Sequence, residues 1–263
     1  LEWFKRNQEK DGSWRMRSHD SAATGLVMLA YMGYGAKHTK QGGFEGYQEQ
    51  LDRAVNWMLS EERDGDMRGS GNMYDHGIAA IAMAEAYYMT KDPRLRPVVR
   101  RIVDFTVRAQ NPSTGGWRYK PYMEKKYARD SGTFGELDFD SRKRYISSGD
   151  MSVTGWQIMA LKSAQVGGIE IPAESLDKAL KFVQERYGSN SAYGYTQKSN
   201  HTPAMAAQGL FCQQMLRAHA IDRGLANPST IDLRNRESAK YIGRHFPDSV
   251  GVEKHMKRGT EEE

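Results

Sequence analysis

Two kinds of apolar pattern alternate along this chain. In one, apolar residues recur at helical spacing on a single side and charge fills the rest. Leu51, Val55, Met58 and Leu59 do this within 47–61, and the stretch from Asp92-Pro93 to Ala109 does it again, as an amphipathic helix with one wet face should. In the other, Ala, Gly, Ser and Met crowd together with little charge, as in DSAATGLVMLAYMG up to Gly33. Segments of the second kind begin near Asp20, Asp75, Asp150 and Thr202. Helices apolar all round must be buried and must approach their neighbours closely. The pattern therefore predicts inner helices at 19–33, 74–89, 150–165 and 202–218, and outer ones at 47–61, 92–109, 173–187 and 231–246. The inner starts recur about every 50 residues once an irregular stretch at 120–148 is set aside, which is the signature of helical hairpins in an α/α solenoid or closed toroid.

The turns between outer and inner helices carry a repeat of their own. Residues 3–14 read WFKRNQEKDGSW, placing Gln8 five residues after an aromatic and Trp14 after a glycine turn. From Phe105 the chain reads FTVRAQNPSTGGWRY, with Gln110 and Trp117 in the same places. Copies beginning at Trp57, Phe182 and Tyr241 are weaker.

Composition narrows the function classes. The net charge of +5 comes from interspersed Lys, Arg, Asp and Glu, which describes a solvated surface and not a nucleic-acid footprint. The single cysteine, Cys212, excludes an intramolecular disulfide and a multi-thiolate zinc site. No apolar run is long enough for a membrane span, and no signal peptide is visible. The chain opens at Leu1 in mid-motif, which reads as a truncated N-terminus and leaves the compartment open. A charged tail is expected at 251–263, after one domain at 1–250.

The Gln–Trp turns, together with DMSVTGWQIMALKSA, resemble the QW repeats of the squalene–hopene cyclase and protein prenyltransferase β-subunit superfamily, and of bacterial prenyltransferase/squalene oxidase repeat proteins. The resemblance covers roughly 1–246 and implies an all-α fold, an (α/α)6-type toroid of which about four to five hairpins are present. It implies that Gln8, Gln110, Trp14 and Trp117 are structural staples between hairpins. It also implies a squalene cyclase/prenyltransferase-like repeat protein, with an isoprenoid or other apolar ligand in a central cavity. Met28, Tyr31, Met159 and Met205 would line that cavity or pack the core. The catalytic patterns of the superfamily are missing. No D-x-D-D string exists, Asp138-Phe139-Asp140 being the nearest, and Cys212 lacks the Asp of a zinc-binding Asp-x-Cys pair. No cofactor or metal is therefore expected.

Candidate chemistry gathers at the inner-helix starts, which in a hairpin array share one face and would ring one mouth. His19, Asp20, Tyr74, Asp75, His76, Asp150, Trp156, His201 and Thr202 are the candidate mouth or ligand-binding residues. Asp20, Asp75, Asp150 and Thr202 are equally well placed as helix N-caps. Two alternatives stand beside the isoprenoid reading. One is a non-enzymatic α/α module that binds a peptide, glycan or protein partner. The other is a glycan-active α/α-barrel enzyme using paired carboxylates such as Asp75 and Asp150. The irregular stretch at 120–148 would overhang the same mouth as a flap.

Overall fold

The computed structural model describes residues 1–39, 46–122 and 149–245. The bulk of the expected insertion and the charged tail lie outside the described residues. Among those described there is no strand, only isolated bridges such as Tyr187 with Tyr193. The fold is all-α. No described helix is long and apolar enough to cross a membrane.

Four inner helices follow one another as α2 (Asp20–Gly33), α4 (Met73–Thr90), α6 (Met151–Val166) and α8 (Pro203–Met215). Each packs along the next, α2 on α4, α4 on α6 and α6 on α8, forming an arc of an α/α toroid. The outer row is α3 (Gln48–Glu61), α5 (Leu95–Arg108), α7 (Ala173–Glu185) and α10 (Pro228–Arg244). The short α1 (Glu2–Arg6) precedes the first corner, and α9 (Arg217–Asp222) links the last hairpin. The alternation of burial follows the alternation of sequence. In α4 nearly every residue from Met73 to Tyr87 is buried. In α5 only one side is, through Leu95, Val98, Val99, Ile102, Val103, Phe105 and Thr106.

The outer helix expected from Asp92-Pro93 begins only at Leu95, after a turn in which Asp92 Oδ1 accepts the Arg94 N–H at 2.9 Å. Two other boundaries also differ from the sequence reading. The last outer helix starts three residues before Ile231, because Asn227 caps it by accepting the Ser229 N–H and Pro228 suits the first turn. The stretch 202–218 is broken between α8 and α9 at Leu216.

The first and third corners are built alike. Gln8 Nε2 donates to Gly12 O and to Gln50 O on the following outer helix, both at 2.8 Å. Gln110 Nε2 donates to Gly115 O at 2.8 Å and Ser175 O at 2.9 Å. The indoles reach back, Trp14 to Phe4 O at 2.9 Å and Trp117 to Thr106 O at 2.8 Å. Both tryptophan backbone N–H groups donate to a threonine one turn into the next inner helix, Thr24 and Thr154, at 3.0 Å. The staples expected from the sequence are thus hydrogen-bonded links from turn to outer helix and from turn to inner helix.

Glycine is required at the apex. Gly12, Gly65 and Gly115 have φ of +98°, +84° and +78°, and a Cβ there would sit 2.4, 2.0 and 2.1 Å from the carbonyl oxygens of Arg53, Arg101 and Lys178. Each apex lies directly on the backbone of the next outer helix, and only glycine takes that conformation at that distance.

Candidate functional site

The threonine contacts fix the true register of the inner helices. Thr24 and Thr154 lie four residues after Asp20 and Asp150. The corresponding acceptor in α4 is His76, whose Nδ1 takes the Met67 N–H at 3.2 Å. Four residues before His76 stands Asn72, which is the cap of α4. Asp75 is therefore not the equivalent of Asp20 and Asp150. It sits one turn in, and its carboxylate reaches back to Asn72 N–H at 2.9 Å to complete a capping box.

The caps also divide unevenly. Asp150 Oδ1 accepts the Ser152 and Val153 N–H groups, and Thr202 Oγ1 accepts the Met205 N–H at 3.1 Å. Asp20 caps nothing in its own helix. It accepts the Met16 N–H at 2.8 Å and pairs with Arg15 at 2.7 Å.

Displacing Asp75 from the cap position has a chemical consequence. Its Oδ2 meets His19 Nδ1 at 2.9 Å, across the packed pair α2 and α4. Asp75 is fully buried, whereas the His19 side chain is 40% exposed. The carboxylate already accepts a backbone N–H, so the imidazole is held with Nδ1–H as donor and Nε2 turned to the open side. Among the described residues Asp75 Oδ1 has no hydrogen-bond partner despite its burial. Gly71 closes over this carboxylate, since a Cβ there would lie 2.1 Å from Oδ2.

A row of hydroxyls joins the starts of α4 and α6. The Tyr74 hydroxyl is hydrogen-bonded to Ser152 Oγ, and Ser152 Oγ donates to Asp150 Oδ1 at 2.6 Å. The Tyr119 and Tyr195 hydroxyls meet at 2.6 Å, and the Tyr74 and Tyr119 rings lie 5.8 Å apart. These two tyrosines are equivalent, each two residues beyond a corner aromatic, Trp117 or Tyr193. Their carbonyls anchor the inner helices, Tyr119 O accepting Met73 N–H at 2.9 Å and Tyr195 O accepting Met151 N–H at 3.0 Å. Burial, before all else, pushes the Tyr195 phenol up, and the neighbouring Asp150 and Tyr119 push it further. Tyr74 is raised by burial and by Asp150, against an opposing pull from Ser152. Both phenols thus keep their protons at neutral pH.

The remaining candidates go elsewhere. His76 is wholly buried and bonds Thr106 Oγ1 at 2.8 Å. His201 is exposed and lies against the Tyr241 ring, 6.0 Å away. Trp156 is half-buried between α4 and α6. Met28 and Tyr31 are fully buried core. Among the described residues no cluster of three or more His, Cys, Asp or Glu side chains is arranged to hold a metal. Sequence reading missed Tyr119, Tyr195 and Ser152. Aligning the corners on their aromatics, not on the acidic residues, picks out both tyrosines.

No family model matches this chain, and no curated protein matches it. A solved structure described as a polysaccharide lyase matches it with a TM-score of 0.59 at 11% identity, over 95% of this chain and 71% of the other. A likeness at that identity is one of fold. It agrees with the α/α architecture, and the squalene cyclase resemblance remains one of corner motifs.

Proposed function

We propose that this chain is a glycan-active α/α toroid protein whose chemistry is centred on His19, with an acidic polysaccharide as substrate and elimination as the reaction. The observation that carries the reading is the half-exposed imidazole held through Nδ1 on a fully buried carboxylate, Asp75. That is the arrangement of a positioned general base. In an elimination, His19 Nε2 takes the proton from the carbon bearing the uronate carboxyl group. The electron pair forms the new carbon–carbon double bond, the adjacent glycosidic carbon–oxygen bond breaks, and a phenol, Tyr119 or Tyr195, protonates the departing oxygen. The structural neighbour, described as a polysaccharide lyase, supports a glycan as the substrate class. Hydrolysis by paired carboxylates is less well supported, because Asp75 and Asp150 are fully buried and engaged in caps.

The test is incubation with a panel of uronate-containing polysaccharides, following the ultraviolet absorbance of the unsaturated product. Activity that is lost in His19→Ala and lowered in Asp75→Asn supports the reading. No product from any uronate polymer, with none bound by calorimetry, ends it.

A second reading keeps the cyclase superfamily's apolar ligand. It is favoured by the Gln–Trp corners, whose hydrogen bonds match the staples that resemblance implies. Retention of a polyprenyl alcohol by the wild-type protein would select it.

A further inference from the structure

A groove of about 490 Å³ runs between α5 and the turn that joins α6 to α7. α5 is an interior member of the outer row, and this turn lies at the end of the hairpins opposite the corners, so the groove is apart from His19. One wall is a single face of α5, with Arg96, Arg100, Val103 and Asp104 at helical spacing. Ile169 and Glu170 stand on the other. Val103 and Ile169 are buried and form an apolar floor, and the four charged side chains around it are exposed.

The turn is held in place. The Ile169 N–H donates to Ala164 O and the Ser175 N–H to Pro172 O, both at 3.0 Å, and Lys91 Nζ, from the end of α4, donates to Gly167 O at 2.8 Å. The second wall is thus set before a ligand arrives, which lowers the ordering cost of binding.

The charges of the groove differ from their neighbours on α5. Arg94, Arg101 and Arg108 each pair with an acid, Asp92, Glu62 and Asp64. Among the described residues Arg96, Arg100, Asp104 and Glu170 make no ion pair, although Arg100 and Asp104 stand one turn apart. Two guanidinium groups and two carboxylates therefore remain as donors and acceptors over an apolar floor. A uronate unit of a glycan carries the matching groups: a carboxylate for the arginines, hydroxyls for the acids and an apolar ring face for the floor.

We propose that this groove is a second, non-catalytic glycan site that takes a uronate unit and anchors a long polymer away from the reaction. The proposal rests on the glycan reading for its class of ligand and not on the elimination step.

Calorimetry with polygalacturonate, alginate and hyaluronan, and with the methyl ester of each, tests it on the wild type, Arg96→Gln/Arg100→Gln and Asp104→Asn/Glu170→Gln. Circular dichroism checks that the variants fold, as exposed conservative changes should. At least one acid polymer should bind the wild type. The arginine variant should bind it about tenfold more weakly or worse, the loss expected for charge-assisted hydrogen bonds. Esterification should abolish the difference between that variant and the wild type, whereas the carboxylate variant should bind acid and ester forms alike more weakly. An arginine variant that binds as the wild type does, or that loses as much on the ester, overturns the proposal. If the wild type also forms the unsaturated product and the variants leave its KM on the polymer unchanged, this site fails while the role of His19 stands. Binding that depends on the arginines without any product supports this site and counts against the elimination. No binding of any of the polymers overturns both.

Discussion

The first and third corners of the arc differ from the second in chemistry but not in backbone. At the first and third, a glutamine amide spans turn and outer helix, a tryptophan fills the corner and a threonine hydroxyl receives its N–H. At the second, Glu62 stands where glutamine would be and pairs with Arg101 at 2.6 Å. Met67 replaces tryptophan, and His76 replaces threonine. Yet Gly65 keeps the left-handed apex against the Arg101 carbonyl, as Gly12 and Gly115 keep theirs against Arg53 and Lys178. The fourth corner goes further, with Tyr193 as its aromatic and Ser191 at φ +63°. The corner is therefore defined by a turn lying on a helix backbone. The Gln–Trp pair is one way of filling it.

The same comparison explains why His76 is a core residue. Its Nδ1 accepts the Met67 N–H, its Nε2–H donates to Thr106 Oγ1, and Thr106 passes its own proton to Ile102 O at 2.8 Å. Every member is satisfied only while the ring is neutral. Burial accordingly holds its pKa down at about 4.

Five substitutions would break or sharpen this contrast. Trp117→Ala, at the best-packed corner, should cost about 3–5 kcal/mol by chemical denaturation, against about 2–3 for Met67→Ala at the second. A smaller loss at Trp117 than at Met67 would reverse the ranking of the two corners.

The second test uses acid. The unfolded histidine binds its proton below about pH 6.5, and the folded one only below about 4. Between those values the unfolded state holds more protons, so stability falls as pH drops through that window, by about 3 kcal/mol for this group. His76→Thr restores the residue type of the other two corners and should remove that part of the acid loss. Denaturation midpoints at pH 7.5 and pH 4.5 on both proteins would show it, and equal acid losses would count against the buried neutral histidine.

Gly65→Ala should cost about 1–3 kcal/mol from backbone strain at the apex, and more if the turn lifts from α5. A melting temperature unchanged by that substitution would mean the apex is not what the corners share. The smallest effect is expected for Glu62→Gln, which installs the side chain of the other corners and loses a pair whose arginine is 43% exposed. About 1 kcal/mol or less should be lost, and the loss should shrink in high salt.

The sequence determined by itself the features that depend on neighbours along the chain. Helices apolar all round must be buried, those with one apolar face must line an exterior, and at the first and third corners a glycine followed by a tryptophan closes the turn between them. Alternation of the two kinds was therefore legible, and with it the all-α toroid. Tertiary structure alone decided which side chains meet there. Asp20, Asp75 and Asp150 look equivalent in the sequence, yet the contact at the corner shifts α4 by three residues and puts Asn72 in the cap. That shift frees Asp75 to reach His19, 56 residues away and on another hairpin. Tyr119 and Tyr195 are brought together over 76 residues in the same manner. Local periodicity carries no term for such distances, because the register of one inner helix against the next is set by how closely a glycine lets two backbones approach.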